Sequence, residues 1–305
     1  MRKVQPAASL TLSLFPAVPT AVPTNAAILQ APILSFSSNT SSRSETPGAP
    51  IVNRVLLTND DGIDAPGLAV LEQVAASLAA EVWVVAPEHD QSGTSHSISL
   101  HQPLRYSRHG ERRFGISGTP GDCVVMAVRH LMQDRLPDLI LSGVNRGANL
   151  GVETVFSGTV GAAMTGMLFG IPSIALSQTF SDPAAVRWDT ARELAPGVIR
   201  RLYAAGWDIH ACLNVNFPDV APADAGPLTL TRQGVGLVKG INVVPRTDPR
   251  GLIYHWLQFH REAVENAPDT ETAVVRAGAV AVTPLRFERT NEDALAHLRE
   301  SLAQR

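Results

Sequence analysis

The chain has 305 residues, of which 45% are hydrophobic and 17% charged, a composition typical of a soluble globular protein with one large domain or two modest ones. Its only cysteines, Cys123 and Cys212, exclude a disulfide-rich scaffold and a four-cysteine zinc site. The net charge of −3 gives no general attraction to nucleic-acid backbones, and no apolar run reaches the roughly 18 residues that a membrane-spanning helix needs, so we expect neither nucleic acid nor membrane as a partner.

Residues 1–50 differ from the remainder, being rich in Ser, Thr, Pro and Ala and poor in acids. Four interpretations of this segment are open. A secretory signal needs an uninterrupted apolar stretch, which prolines break here, and an organelle transit peptide would contain more arginine. A disordered tail fits the composition. A translation start set too early is favoured, because the first convincing strand begins at Val52 and no methionine lies between Met1 and Met126. We predict that this extension takes no part in the fold and, unless it is a targeting segment, that the protein is cytoplasmic.

The sequence from residue 51 opens with a strand, a helix and a second strand. Val52–Thr58 is an apolar, β-branched run that ends in turn residues, and Glu81–Ala86 has the same character. Between them, apolar residues recur at helical spacing over 68–78, with Asp64 at the predicted N-cap and a proline in the first turn. This order predicts a βαβ unit with parallel strands.

The same alternation of strands and helices continues to residue 217. It predicts a Rossmann-like α/β core over 51–217, with a doubly wound and mostly parallel sheet. The predicted elements are a hairpin strand at Ser97–Tyr106, helices at Gly121–Met132, Gly158–Phe169 and Trp188–Ala205, and strands at Asp138–Ser142, Ile171–Leu176 and Leu213–Phe217.

Residues 218–305 have a different character, with short strand-like pieces separated by turns rich in Gly and Pro. We predict a smaller β-rich appendage, because the segment is too short for a second catalytic domain. Its predicted elements are strands at Leu228–Thr231, Gly251–Phe259 and Ala277–Thr283, and a terminal helix at Asn291–Leu302.

Polar loops follow several predicted strands, at the carboxyl ends where open parallel sheets bind their ligands. Asp60 and Asp61 are adjacent in the turn after the first strand, and a bound cation would relieve the repulsion between their carboxylates. With the Ser92 hydroxyl and the Asn145 side-chain carbonyl they form an all-oxygen set, which suits Mg²⁺ or Mn²⁺ and not zinc. Simpler readings stay open, in which the aspartates only make a turn, Ser92 is an ordinary loop residue and Asn145 is an Asx-turn residue.

Small residues open a predicted helix at Ser157, Gly158 and Thr159. The free N–H groups and the positive dipole end of such a helix form a natural anion site. Small residues also allow a helix to pack closely on a sheet, and both interpretations are open. Neither the lysine of a phosphate loop nor a GxGxxG fingerprint accompanies this helix.

Several motifs together closely resemble those of the SurE family, the stationary-phase survival nucleotidases. They are LLTNDDGIDAPGLAVL at 56–71, VVAPEHDQSGTSHSISL at 84–100, SGTPGDCV at 117–124, PDLILSGVNRGANLG at 137–151, SGTVGAAMTG at 157–166 and GAVAVTPL at 278–285. The resemblance implies a metal-dependent phosphomonoester hydrolase, a 5'-nucleotidase that converts nucleoside monophosphates into nucleoside and phosphate. It also implies a homodimer or homotetramer, in which 218–305 would be the oligomerisation segment.

By motif position, the resemblance assigns one divalent cation per subunit to the oxygens of Asp60, Asp61, Ser92 and Asn145. We expect Asp60 and Asp61 to be catalytic, and the substrate phosphate to be bound by Ser157, Gly158 and Thr159. The alternative function is a non-catalytic nucleotide-binding module on a Rossmann-like sheet, whose binding of nucleotide would ignore a chelator. A sugar-nucleotide transferase is disfavoured, because 218–305 is too short and too rich in strands for the second α/β domain it needs.

Overall fold

The computed structural model describes residues 49–262 and 265–303. The interpretations of residues 1–50 concern a segment that, apart from Ala49 and Pro50, lies outside the described residues. Within the described ranges, no helix combines the length and the apolar character needed to cross a membrane.

A mostly parallel sheet organises the chain. The strands are β1 (Val52–Thr58), β2 (Ala79–Pro87), β3 (Tyr106–Arg108), β4 (Arg113–Ile116), β5 (Leu139–Arg146), β6 (Ser173–Gln178), β7 (Cys212–Phe217), β8 (Gly226–Leu230), β9 (Val238–Thr247), β10 (Ile253–Arg261) and β11 (Ala279–Leu285). In the described part of the chain, nine of them form one sheet in the order β3-β4-β2-β1-β5-β6-β7-β11-β8. The run β2-β1-β5-β6-β7 is parallel throughout, which confirms the predicted Rossmann-like, doubly wound architecture.

The helices of the described chain are α1 (Pro66–Ala76), α2 (Pro120–Met126), α3 (Gly158–Leu168), α4 (Trp188–Ala205), α5 (Glu271–Arg276) and α6 (Glu292–Ala303). All of them except α6, which buries none of its residues, pack on the faces of the large sheet and cover both sides of it. Val55 and Leu57 of β1 belong to the same buried cluster as Leu71 of α1, whereas Leu56 between them belongs to the cluster of Val124 in α2. Because neighbouring residues of a strand face opposite sides of a sheet, β1 is buried on both faces, which accounts for its continuous apolar sequence.

Two predictions about helix ends are wrong. Asp64 does not cap α1, because Ala65 occupies the N-cap in an extended conformation with no side-chain hydrogen bond, and Pro66 begins the helix. The helix predicted at Gly121–Met132 is α-helical only as far as α2, and the chain continues as a π-helical turn over 127–131.

The hairpin strand predicted at Ser97–Tyr106 is also wrong, since only its last residue belongs to a strand, β3. The backbone of this segment is bound to the beginning of α2. The Thr119 hydroxyl donates to the Ser97 carbonyl at 2.6 Å, and the Ser99 N–H donates to the Asp122 carboxylate at 2.9 Å. The Thr119 and Asp122 side chains therefore bind backbone groups of 97–99 that strand pairing would have used.

The chain beyond β7 contributes both to the large sheet and to a separate hairpin. β11 runs antiparallel beside β7 and parallel to β8, which extends the sheet. β9 and β10 pair only with each other among the described strands, and this β9–β10 hairpin exposes Val243, Trp256 and Leu257. α6 buries none of its residues and exposes Leu298 and Leu302. The sequence pattern did not predict β9 or the short helix α5.

Candidate active site

A cleft of about 690 Å³ opens where the carboxyl ends of several parallel strands meet. Predicted site residues from four separate segments line it, namely Asp60 after β1, Ser92 after β2, Asn145 in β5 and Ser157 at the start of α3. The remaining predicted residues do not line the cleft but contact residues at its wall, and they are Asp61, Gly158 and Thr159. Segments up to about a hundred positions apart in the sequence thus meet at one place.

Asp60 is the most buried carboxylate at the cleft, with 4% of the residue exposed. Burial and the neighbouring charge of Asp61 raise its pKa to about 7, although hydrogen bonds from Thr159 act in the opposite direction. The Thr159 hydroxyl donates to Asp60 Oδ1, and no cationic side chain is among the groups that lower the pKa. The carboxylate is therefore held in a fixed orientation without a positive partner from the described residues, an arrangement that a bound cation would stabilise.

Local backbone geometry brings Asp60 against the start of α3. The chain turns after β1 because Gly62 adopts φ of +105°, a conformation that side chains disfavour, and the Asn59 amide donates to the Gly62 carbonyl at 2.8 Å. A Cβ atom on Gly158 would lie 2.8 Å from Asp60 Cβ and 3.0 Å from Asp60 Oδ2. Only glycine at 158 permits this close approach between the helix start and the carboxylate.

The first turn of α3 is buried, and a side chain caps its start. Ser157 is the N-cap, and its Oγ accepts a hydrogen bond from the Val160 N–H at 3.1 Å. The cap uses Ser157 Oγ only as an acceptor, so its O–H can still donate to an anion, whereas the Thr159 O–H is already donated to Asp60. An anion bound here would be held by the Ser157 O–H, the backbone N–H groups and the dipole of the helix.

Asp61 lies half-buried beside the cleft. Its Oδ2 accepts a hydrogen bond from the Arg146 backbone N–H at 3.1 Å, which links the turn after β1 to the end of β5. Burial raises the pKa of Asp61 and nearby Asp90 acts in the same direction, whereas the Arg146 N–H acts to lower it. Both adjacent carboxylates thus have raised pKa values for the same main reason, removal from water.

Ser92 and Asn145 complete the predicted oxygen set. Ser92 is exposed, and its N–H donates to the Asp90 carboxylate at 2.7 Å. The Asn145 side-chain N–H donates to the Gly147 carbonyl at 2.8 Å, whereas its side-chain oxygen accepts no hydrogen bond from the described residues. In an Asx turn the side-chain oxygen would accept from the N–H two residues on, whereas here the side-chain N–H donates to a carbonyl. Asn145 therefore does not form the Asx turn of the simpler interpretation, and its side-chain oxygen is available to a ligand.

The donor set fits a hard divalent cation. No three His, Cys, Asp or Glu side chains converge anywhere in the described ranges, so a His/Cys zinc site is absent from that part of the chain. What the cleft offers is carboxylate, hydroxyl and amide oxygen, the ligands preferred by Mg²⁺ and Mn²⁺.

A buried polar network supports the loop after β5. The Asn149 N–H donates to Asn216 Oδ1 at 2.9 Å, and the Asn149 side chain donates to the Ser177 hydroxyl at 2.9 Å. The Asn214 side chain donates to the Asn149 carbonyl at 2.8 Å. These contacts tie the loop to β6 and β7, and sequence reasoning missed them although Asn149 lies in one of the motifs.

Sequence reasoning also missed the apolar wall of the cleft. Phe156, Phe180, Leu237, Phe259 and Val275 line it together with the polar residues. Leu237 directly precedes β9, Phe259 lies in β10, and Val275 lies in α5. No signal in the sequence connects these segments to the turn after β1.

Comparisons with known proteins agree on one family. The model of the survival protein SurE family matches residues 55–239. A protein of Burkholderia lata named 5'-nucleotidase SurE 1 is 64% identical over 253 residues, which are 83% of this chain and 98% of the relative. A 5'-nucleotidase SurE of Paramagnetospirillum magneticum is 47% identical over 245 residues, 80% of this chain and 94% of the relative. The crystal structure of the SurE protein from Aquifex aeolicus superposes with a TM-score of 0.69 at 32% identity, covering 81% of this chain and 98% of that one.

Proposed function

The chain belongs to the SurE family of survival proteins, and on this premise we propose that it is a 5'-nucleotidase that hydrolyses nucleoside monophosphates with the help of one Mg²⁺ or Mn²⁺ per subunit. The nucleotidase activity is supported by the names of its relatives. The metal dependence rests on one observation, the buried Asp60 carboxylate without a cationic partner, in a cleft that also presents Ser92 and Asn145.

Asp60, Asp61, Ser92 and Asn145 would hold the cation, since carboxylate, hydroxyl and amide oxygens are hard ligands. Bound there, the cation would offset the two carboxylates and polarise the phosphoryl group of the substrate. The Thr159 hydroxyl keeps one oxygen of Asp60 occupied and so leaves the other to the ligand.

The first turn of α3 binds the phosphate in this proposal. The positive dipole end and the N–H groups that the cap leaves free attract negative charge, and the Ser157 cap keeps the turn in helical geometry. One of the paired aspartates would accept the proton of the attacking water, and burial raises the pKa of both carboxyls, that of Asp60 to about 7, which favours uptake of a proton.

The test measures phosphate release from AMP, GMP and p-nitrophenyl phosphate, with EDTA and after Mg²⁺ or Mn²⁺ is restored. We expect release that EDTA abolishes and either metal restores. Mononucleotide binding that persists in EDTA without any phosphate release would instead identify the non-catalytic nucleotide-binding module. Phosphate release that EDTA does not affect would contradict the metal site, but it would still support a hydrolase that works without a metal.

We further propose that the partner of this chain is a second copy of itself, in a homodimer or homotetramer. The β9–β10 hairpin exposes Trp256 to 61% and Leu257 to 72%, and α6 exposes Leu298 and Leu302. Apolar side chains clustered on projecting elements favour burial against another chain.

A further inference from the structure

The cleft has two chemically different parts. Its polar part contains Asp60, Ser92, Asn145 and Ser157, whereas its other lining includes several aromatic and aliphatic side chains. A phosphate and a cation would occupy only the polar part. The volume of about 690 Å³ leaves room for the rest of the substrate molecule, and the aromatic and aliphatic wall favours an apolar group there.

Two phenylalanines form the aromatic part of the wall. The ring centroids of Phe156 and Phe259 lie 5.5 Å apart, with their planes inclined by 49°. Phe156 directly precedes Ser157, the N-cap of α3, so the aromatic wall begins one residue from the proposed phosphate site. Phe259 reaches the cleft from β10 and is half-buried, whereas its neighbours along β10 are exposed.

An ion pair holds Phe259 in place. The Arg261 guanidinium lies over the Phe259 ring, 5.4 Å from its centroid. The same guanidinium donates to Glu153 Oε2 at 3.2 Å, and the Glu153 side chain is only 12% exposed. Since Glu153 lies in the helical turn just before Phe156, this bridge fastens the leg of the hairpin to the segment that carries the other ring.

We propose that Phe156 and Phe259 form the subsite for the flat base of the nucleotide, and that the Arg261–Glu153 bridge positions Phe259. The inference rests on the proposed nucleotidase function. Aromatic faces stack on any nucleobase and do not discriminate by hydrogen bonding, so the subsite selects nucleotides over phosphomonoesters that lack a ring. The hairpin thus contributes to substrate selection as well as projecting from the fold.

The experiment compares AMP with ribose 5-phosphate, which has the same phosphate and sugar but no base. We expect Phe259→Ala to raise the KM for AMP about tenfold with kcat nearly unchanged, and to leave both constants for ribose 5-phosphate as they are. Phe259→Tyr keeps a ring and should retain the wild-type KM. Gln258→Ala is the matched control, because this exposed neighbour points to the opposite face of β10.

The bridge is tested separately with Glu153→Gln. We expect the KM for AMP to rise about threefold, the effect of losing a partly exposed ion pair, with no change for ribose 5-phosphate. A purely structural role for the bridge would affect both substrates alike.

Equal losses for AMP and ribose 5-phosphate in Phe259→Ala, or no loss for either, would overturn the subsite. If the wild type hydrolyses neither compound with metal present, the proposed function fails, and calorimetric affinities still decide the inference. In that case a tenfold weaker affinity of Phe259→Ala for AMP alone supports the subsite, and equal affinities of the variant and the wild type overturn it.

Discussion

The cleft and the β9–β10 hairpin depart from the usual distribution of side chains in opposite ways. At the cleft a carboxylate is buried, since Asp60 is almost fully removed from water and has a pKa of about 7. On the hairpin large apolar side chains are exposed, among them Val243, Trp256 and Leu257. Each departure costs free energy in an isolated chain. A bound partner would offset each cost, and the proposals above assign a cation with its substrate to the cleft and a second copy of the chain to the hairpin.

The two regions are also physically joined. Phe259 and Arg261 lie at the base of the hairpin and contact Phe156 and Glu153 beside the start of α3. Variants that separate the two regions must therefore lie away from this contact, as the following ones do.

Asp60→Asn should have the largest effect. We expect phosphatase activity to fall about a thousandfold, because the substitution removes a charged ligand and a proton acceptor while keeping the shape of the side chain. The metal-free variant should have a higher Tm than the metal-free wild type, since a buried charge is lost, and Mg²⁺ should no longer raise it. Thermal unfolding with and without Mg²⁺ and a turnover assay measure both effects. Asp64→Asn, an exposed carboxylate four positions later, is the control, and equal behaviour of the two variants would contradict the role of Asp60.

The stability of the metal-free protein should depend on pH through the same group. The folded-state pKa of Asp60, about 7, lies above the ordinary aspartate value of 3.8, so folding favours the protonated carboxyl. Its contribution is fully present below about pH 4 and is lost as the pH rises towards 7, by at most on the order of 4 kcal/mol. Denaturant unfolding in EDTA between pH 4 and 8, compared with Asp60→Asn, isolates this group from other carboxyls. If the free energies of unfolding of the wild type and Asp60→Asn differ by the same amount at every pH in this range, the pH dependence does not come from Asp60.

Trp256→Glu should act on the hairpin and not on the cleft. A charge in place of an apolar side chain within a buried contact should weaken assembly about a hundredfold, seen as a lower mass in light scattering after size exclusion. Arg201→Glu, a charge reversal on the exposed face of α4, serves as the comparison and should leave the mass unchanged. An unaltered mass for Trp256→Glu would show that the hairpin is not the contact between copies.

Asn145→Ala should have the smallest effect. It removes one neutral oxygen ligand and leaves both carboxylates, so we expect Mn²⁺ affinity to fall about tenfold in calorimetry. The loss of the hydrogen bond to Gly147 is local and should hardly change the Tm. An unchanged Mn²⁺ affinity would remove Asn145 from the proposed ligand set.

The parallel character of the sheet, though not its strand order, could be predicted wherever apolar runs alternate with amphipathic helices. β1 and β5 each contain an uninterrupted apolar run, at 55–57 and 139–141, because helices cover both faces of the sheet there. β9 escaped prediction because Gly240 and Pro245 interrupt it and its residues are mostly exposed, so no burial pattern marks it as a strand. The Ser97–Tyr106 alternation was misleading, since tertiary contacts with Thr119 and Asp122 determine the path of that segment.

The candidate site, too, could be predicted only in part. Loops at strand ends could be located because topology gathers them at one edge of the sheet, and Asp60, Ser92 and Asn145 do line one cleft there. The hydrogen bond from Thr159 to Asp60 joins residues 99 positions apart and has no local signal. The entry of Phe259 into the cleft depends on how the hairpin returns to the sheet, which periodicity does not encode.

The position of β11 between β7 and β8 has a consequence for synthesis of the protein. On the ribosome, β7 emerges with residue 217, whereas its antiparallel neighbour ends only at Leu285. During that interval the growing polypeptide presents an unpaired strand edge of apolar sequence, the type of surface that promotes aggregation. Premature termination between the end of β7 and the start of β11 would therefore leave an aggregation-prone product, even though all the proposed metal ligands had already been translated.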